Sequence, residues 1–268
     1  NENQITVAYM TSGNIAVFDH DVRRYVDFLE RIAAEGKVEA RSVVPLAKKV
    51  YDFFEDKSAG DVDIPEIQDI KRVIREAEAV SGIEVMGLTR DNARFLNLPF
   101  YQTGKVAKDP IGPADVKIVR DLLEQIKPDL IFVAGDLSDP HGTHRMCKEA
   151  IDEALAELRS AATGNRESGT GAPRGDTVPG SQLPVPEVWL YRGAWQEWPV
   201  TDATYLVPMS QEELRLKIQA IFKHQSQKDS APFPGGYDDR EFWQRVEARN
   251  KGTAAMLDRL GLAEYFAM

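Results

Sequence analysis

The spacing of apolar positions switches repeatedly between strand-like runs and helical stripes. Ile5-Thr6-Val7-Ala8-Tyr9-Met10 reads as a strand that stops at the turn residues Thr11-Ser12-Gly13. From about Asp21 to Ala34 the apolar residues Val22, Tyr25, Val26, Leu29 and Ile32 recur on one helical face, and Glu35-Gly36 supplies a stop. Further helices are predicted over about Arg41–Phe54 and Ile67–Val80, and a short strand over Ala93–Leu98 ending at Pro99. Pro113 stands where a first helical turn tolerates it. The helix it opens carries Val116, Val119, Leu122, Leu123 and Ile126, and ends at Lys127-Pro128. The most apolar run, Leu130-Ile131-Phe132-Val133-Ala134, has the character of a strand buried on both faces inside a parallel sheet. Gly135-Asp136 closes it, and a helix follows from about Thr143 to Arg159.

Alternation of strand and helix through Ala162 predicts an α/β fold: a Rossmann-like, mostly parallel sheet with flanking helices and Leu130–Ala134 in its interior. Residues 163–186 then break the pattern. Gly, Pro, Ser and Thr dominate the stretch TGNRESGTGAPRGDTVPGSQLP, which has too few apolar side chains to offset its ordering entropy. A flexible loop is expected there, either a tolerated insertion or a substrate lid. Residues 187–268 are expected to complete the same domain. They begin with Val188–Tyr191 and Ala203–Val207, followed by a helix from the capping-box pattern Ser210-Gln211-Glu212-Glu213 to about His224. A last helix is predicted over about Asp239–Leu260.

Composition narrows the function classes. At 268 residues, 43% hydrophobic and 28% charged, the chain can bury a sizeable core. A net charge of −10 disfavours nucleic acid and anionic membrane surfaces as partners. No apolar run approaches the roughly 20 residues needed to cross a bilayer, and no signal peptide is visible. Cys147 is the only cysteine, so no internal disulfide forms; a cytoplasmic location fits. A dinucleotide-binding reading fails because no Gly-x-Gly-x-x-Gly follows a strand.

Four histidines exist, and two fall together in Gly135-Asp136-Leu137-Ser138-Asp139-Pro140-His141-Gly142-Thr143-His144. The segment lies past the C-terminal end of the most apolar strand, where open α/β sheets bind ligands. Two imidazoles three residues apart at a helix start can converge on one point, or they can satisfy loop carbonyls and cap the helix. Asp136 and Asp139 either orient the histidines or act as turn formers. Arg75 is a contact for a hydroxyl-rich or anionic ligand, or an ion-paired helix residue. Arg192, between Tyr191 and Trp195, suits sugar binding, although packing of the two aromatics is the simpler reading.

These segments together resemble the LmbE-like (PIG-L) N-deacetylase family. Its Lys-Pro-Asp-like turn and His-Pro-Asp-His motif are matched by Lys127-Pro128-Asp129 and His141-Gly142-Thr143-His144. Its Thr-x-Gly turn is similar to Thr11-Ser12-Gly13, its Arg-x-x-Glu-Ala helix to Ile74–Ala79, and its strand-plus-Pro segment to Asn97–Tyr101. Its Lys…His-x-Ser-Gln helix is similar to Lys217 and His224-Gln225-Ser226-Gln227. Together with Trp189–Trp195, the chain resembles most closely the deacetylase-like domain found C-terminal to a glucosamine-6-phosphate deaminase domain in some bacterial proteins. The resemblance implies a metal-dependent hydrolase that removes acetyl from an N-acetylated amino sugar. His144 would be a zinc ligand and His141, with Asp139, the catalytic group at the tetrahedral intermediate; Arg75 and Arg192 would hold the sugar. The family's first motif, His-Pro-Asp-Asp, does not occur here, and His20 in Phe18-Asp19-His20-Asp21 stands one element too late to replace it. Zinc binding is therefore expected to be weak or absent in this chain. The missing first strand is expected upstream, with a fused deaminase domain there as the resemblance implies; the alternative is a non-catalytic domain that binds sugar or stabilises such a deaminase.

Overall fold

A computed structural model describes residues 3–135, 142–164, 186–191, 200–227 and 240–261. It is mixed α/β, with seven α-helices and four short strands among those residues. The elements in chain order are β1 (Val7–Tyr9), α1 (Asp19–Ala34), α2 (Ala40–Asp56), α3 (Pro65–Val85), β2 (Ala93–Phe95), α4 (Pro113–Ile126), β3 (Leu130–Ala134), α5 (Thr143–Gly164), β4 (Glu187–Tyr191), α6 (Gln211–Phe222) and α7 (Phe242–Arg259). They form two compact units. The first comprises Asn1–Asn97, Tyr101–Ala107 and Tyr205–Met268, and the second Leu98–Phe100 and Lys108–Thr204.

In the first unit β1 and β2 pair in parallel, Val7 opposite Ala93 and Tyr9 opposite Phe95, and the rings of Tyr9 and Phe95 stack at 5.0 Å. The long connection between them supplies α1, α2 and α3, as a parallel crossover requires. Helical spacing puts Val22 and Val26 of α1, Ala47 and Val50 of α2, and Ile67 of α3 on inward faces, where they form one fully buried cluster. A second cluster, Val80, Ile83 and Ala93, seats α3 on the strand pair. Polar ties finish the job: the Tyr9 hydroxyl donates to the Ala79 carbonyl at 3.2 Å, and Leu96 N to Tyr9 O at 2.9 Å.

In the second unit β3 and β4 pair in parallel along their full length, Leu130 opposite Glu187 through Ala134 opposite Tyr191. α4 opens at Pro113 and stops where Lys127 takes a left-handed φ of 51°, before Pro128. Its start is fixed by the buried Asp115 carboxylate, which accepts from Gly112 N at 2.9 Å and Phe100 N at 3.0 Å. Val116 and Val119 of α4 and Ala150, Ala154 and Leu155 of α5 are buried.

One expectation needs correction. Leu130–Ala134 is a strand, but among the described residues it is not interior: it pairs with β4 alone, and Phe132 is 61% exposed. An apolar run records what a strand would gain from burial on both faces; it does not supply the neighbours. Ala203–Val207 joins no regular element, and Tyr205 and Val207 stand exposed. The parallel pairs are therefore two sheets of two strands.

Candidate functional site

The first unit gathers three segments that are far apart in sequence. Gly13, at the end of β1, has φ +64°, and a side chain there would put a Cβ 3.0 Å from Nε of Arg75. The bare backbone thus lets the guanidinium of α3 lie against the turn. Arg75 Nη1 donates to the Glu78 carboxylate at 3.1 Å, one turn along the same helix. Glu78 is 6% exposed and accepts two further hydrogen bonds, from Ser226 N and Ser226 Oγ, both at 2.7 Å. Gln227 then donates to the Ala16 carbonyl at 3.0 Å, closing a ring of contacts back to the residues after the turn. Ser12 and Asn14 are buried beside it; Ser12 Oγ donates to Asn14 Oδ1 at 3.0 Å and accepts from Gln102 Nε2 at 3.4 Å.

His224 belongs to the same corner. Its Nε2 lies 3.0 Å from where a Cβ on Gly82 would stand, so it packs on α3 only because that position is glycine. Burial pushes its pKa below the ordinary value and the nearby Arg75 charge pushes it further, with Glu78 opposing in part. The ring is therefore neutral at pH 7, with its Nδ1 buried and unpaired among the described residues. Lys217 donates to Asn250 Oδ1 at 3.0 Å, linking α6 to α7.

In the second unit Gly135 ends β3 by donating to the Tyr191 carbonyl at 3.0 Å. Gly142, with φ +68°, precedes α5, and His144 is the second residue of that helix, half-buried. Asp136, Asp139, His141 and Arg192 lie outside the described residues. His20 is 66% exposed on α1, stacked on Phe18 at 5.6 Å and 3.8 Å from the Asp21 carboxylate. It joins no cluster of ligating side chains; among the described residues no three His, Cys, Asp or Glu groups are arranged to hold a metal. Those residues do not by themselves fit zinc, which takes at least three protein donors where His144 offers one.

Sequence reasoning named Arg75 but not Glu78 or Ser226 as its support. The Arg-x-x-Glu spacing was the available signal for Glu78. Nothing local could announce Ser226, which is 148 residues away.

The Thr11–Gly13 turn and the Arg75–Glu78 helix both lie in the part of the chain that matches a known family. A family model described as GlcNAc-PI de-N-acetylase, PIG-L, matches residues 1–155. The chain belongs to the PIG-L family. Membership points to hydrolase chemistry of the deacetylase type, in a family whose members are typically metal-dependent. Across its whole length the chain is 44% identical to a glucosamine-6-phosphate deaminase-like protein of Bacteroides thetaiotaomicron. It spans 38% of that relative, over its C-terminal part. No solved structure gives a significant match. No helix of this PIG-L chain, among the described residues, is long and apolar enough to cross a membrane.

Proposed function

We propose that this chain is the N-deacetylase part of a longer protein and acts on an N-acetylated amino sugar, with a glucosamine-6-phosphate deaminase-like portion in the same polypeptide. The observation that carries the reading is the corner at the C-terminal end of β1, where the Thr11–Gly13 turn and the Arg75–Glu78 helix, both within the span matched by the family, meet the His224–Gln227 turn around a half-buried guanidinium. Ligands of open α/β sheets bind at that end of the strands. In this reading Arg75 hydrogen-bonds the sugar at that corner, and Arg192, outside the described residues, is a separate candidate contact. His144 would be one metal ligand, and His141 would be the electrostatic or acid partner of the substrate oxyanion, with Asp139 orienting it. A metal held there would supply the Lewis acid for the amide carbonyl. The remaining ligands belong to a His-Pro-Asp-Asp motif that is not in this sequence.

That absence also favours a second reading, a non-catalytic domain that binds sugar or stabilises the deaminase portion. One experiment separates them. Full-length protein, purified without chelator, is assayed for metal and for acetate release from N-acetylglucosamine and its 6-phosphate, beside a His144→Ala variant. Stoichiometric zinc and acetate release, both lost in the variant, support the hydrolase. Sugar binding with neither zinc nor acetate overturns it in favour of the second reading.

A further inference from the structure

Arg75 presents a guanidinium at the end of β1, and its charge is already answered from inside the protein. Nη1 is paired with Glu78 at 3.1 Å, and that carboxylate is buried and held by the two Ser226 donors. The nearby His224 adds no positive charge at neutral pH, since burial and Arg75 itself keep the ring unprotonated. Tyr9, also within the field of Arg75, has its hydroxyl committed to the Ala79 carbonyl. An anion that reached the free N–H groups of Arg75 would be attracted by one charge and repelled by another a few ångströms further on. A hydroxyl or amide group would accept the same hydrogen bonds without that repulsion.

We infer that Glu78 is a specificity-determining residue: it fixes the Arg75 guanidinium over Gly13 and tunes it to an uncharged, hydroxyl-bearing group while turning phosphate away. The inference rests on Arg75 as a substrate contact, and it assigns the sugar's hydroxyl end to this corner. In a phosphorylated amino sugar the phosphate is held elsewhere. Glu78 acts through Arg75 and touches no substrate itself.

Inorganic phosphate is the probe. The full-length protein is titrated calorimetrically with phosphate at constant ionic strength, beside Arg75→Gln, Glu78→Gln and the double variant, any phosphate site of the deaminase-like portion being common to all four. Wild type and Arg75→Gln should give the same phosphate isotherm. Glu78→Gln, which keeps an acceptor for Ser226, should bind phosphate about tenfold more tightly, because the repelling charge is gone; the double variant should lose that gain. A role confined to stability would not create a phosphate site. A wild-type phosphate site abolished by Arg75→Gln overturns the inference, and that comparison needs no Glu78 variant to fold. So does a folded Glu78→Gln that gains nothing. A failure of acetate release would instead overturn the hydrolase reading and leave the phosphate result as measured.

Discussion

Gly13, Glu78 and His224 each carry a physical demand that a single substitution exposes. Gly13→Ala forces an L side chain into a left-handed backbone and sets its Cβ 3.0 Å from Arg75 Nε. Left-handed geometry alone costs about 1–2 kcal/mol, so urea unfolding should show at least that loss. Glu78→Ala strips the partner from a half-buried cation and the acceptor from two Ser226 donors, and the expected cost is about 3 kcal/mol. Glu78→Gln keeps an acceptor in place and should cost clearly less in the same assay. For His224 the sign follows from its lowered pKa in the folded state. Above the ordinary value of 6.5 the ring is neutral in both states. As pH falls below it, the unfolded chain binds the proton first and stability declines until the folded ring also protonates. His224→Gln should flatten the unfolding midpoint between pH 7 and 5.5, compared with the falling midpoint of the wild type.

α3 is the element on which the first unit is built, and a lattice of four charges sets its start. Lys57 donates to Asp19 at 2.6 Å and Asp63 at 2.7 Å; Lys71 donates to the same two carboxylates at 2.7 Å each. The lattice ties the first residue of α1 to the segment before α3 and to α3 itself. Burial alone would push the Asp19 carboxyl up, but the hydrogen bonds and charges of Lys57 and Lys71 hold it below its ordinary value. Its contribution is therefore complete above that ordinary value and is lost as pH falls through the lower folded one. Asp63→Ala leaves the buried Lys71 with Asp19 alone and should lower stability by about 3 kcal/mol at pH 7. Much at this scale was legible in the sequence. The Ser210–Glu213 capping box does open α6, with Glu213 N donating to Ser210 Oγ at 3.1 Å, and Pro113 does start α4. These signals lie within one turn of chain, where propensity and hydrogen bonding act directly. The Glu78–Ser226 and Gln227–Ala16 contacts were not legible, because they depend on which helices pack together. For β3 the sequence reported the strand's appetite for burial and was silent about its neighbours.

On the scale of the molecule, β3 carries an unpaired edge among the described residues and an exposed Phe132 whose ring meets Trp189 edge-on at 5.7 Å. Exposed strand edges and apolar faces promote association between copies. Phe132→Thr keeps a strand-forming residue and should lower stability by about 1 kcal/mol or less. It should also reduce dye binding and light scattering in concentrated solution; unchanged scattering would show that this face does not drive association. The clasp at Arg75 has a different consequence, one of time. Its contacts join residues 148 and 211 positions apart in the chain, and closing such long loops is slow and entropically costly. During synthesis the strand-and-helix layer around β1 emerges long before Ser226 and Gln227 leave the ribosome. The Arg75 corner is therefore finished late, and a nascent chain halted before His224 would carry α1 to α3 while Glu78 waited, charge uncovered, for the turn that completes it.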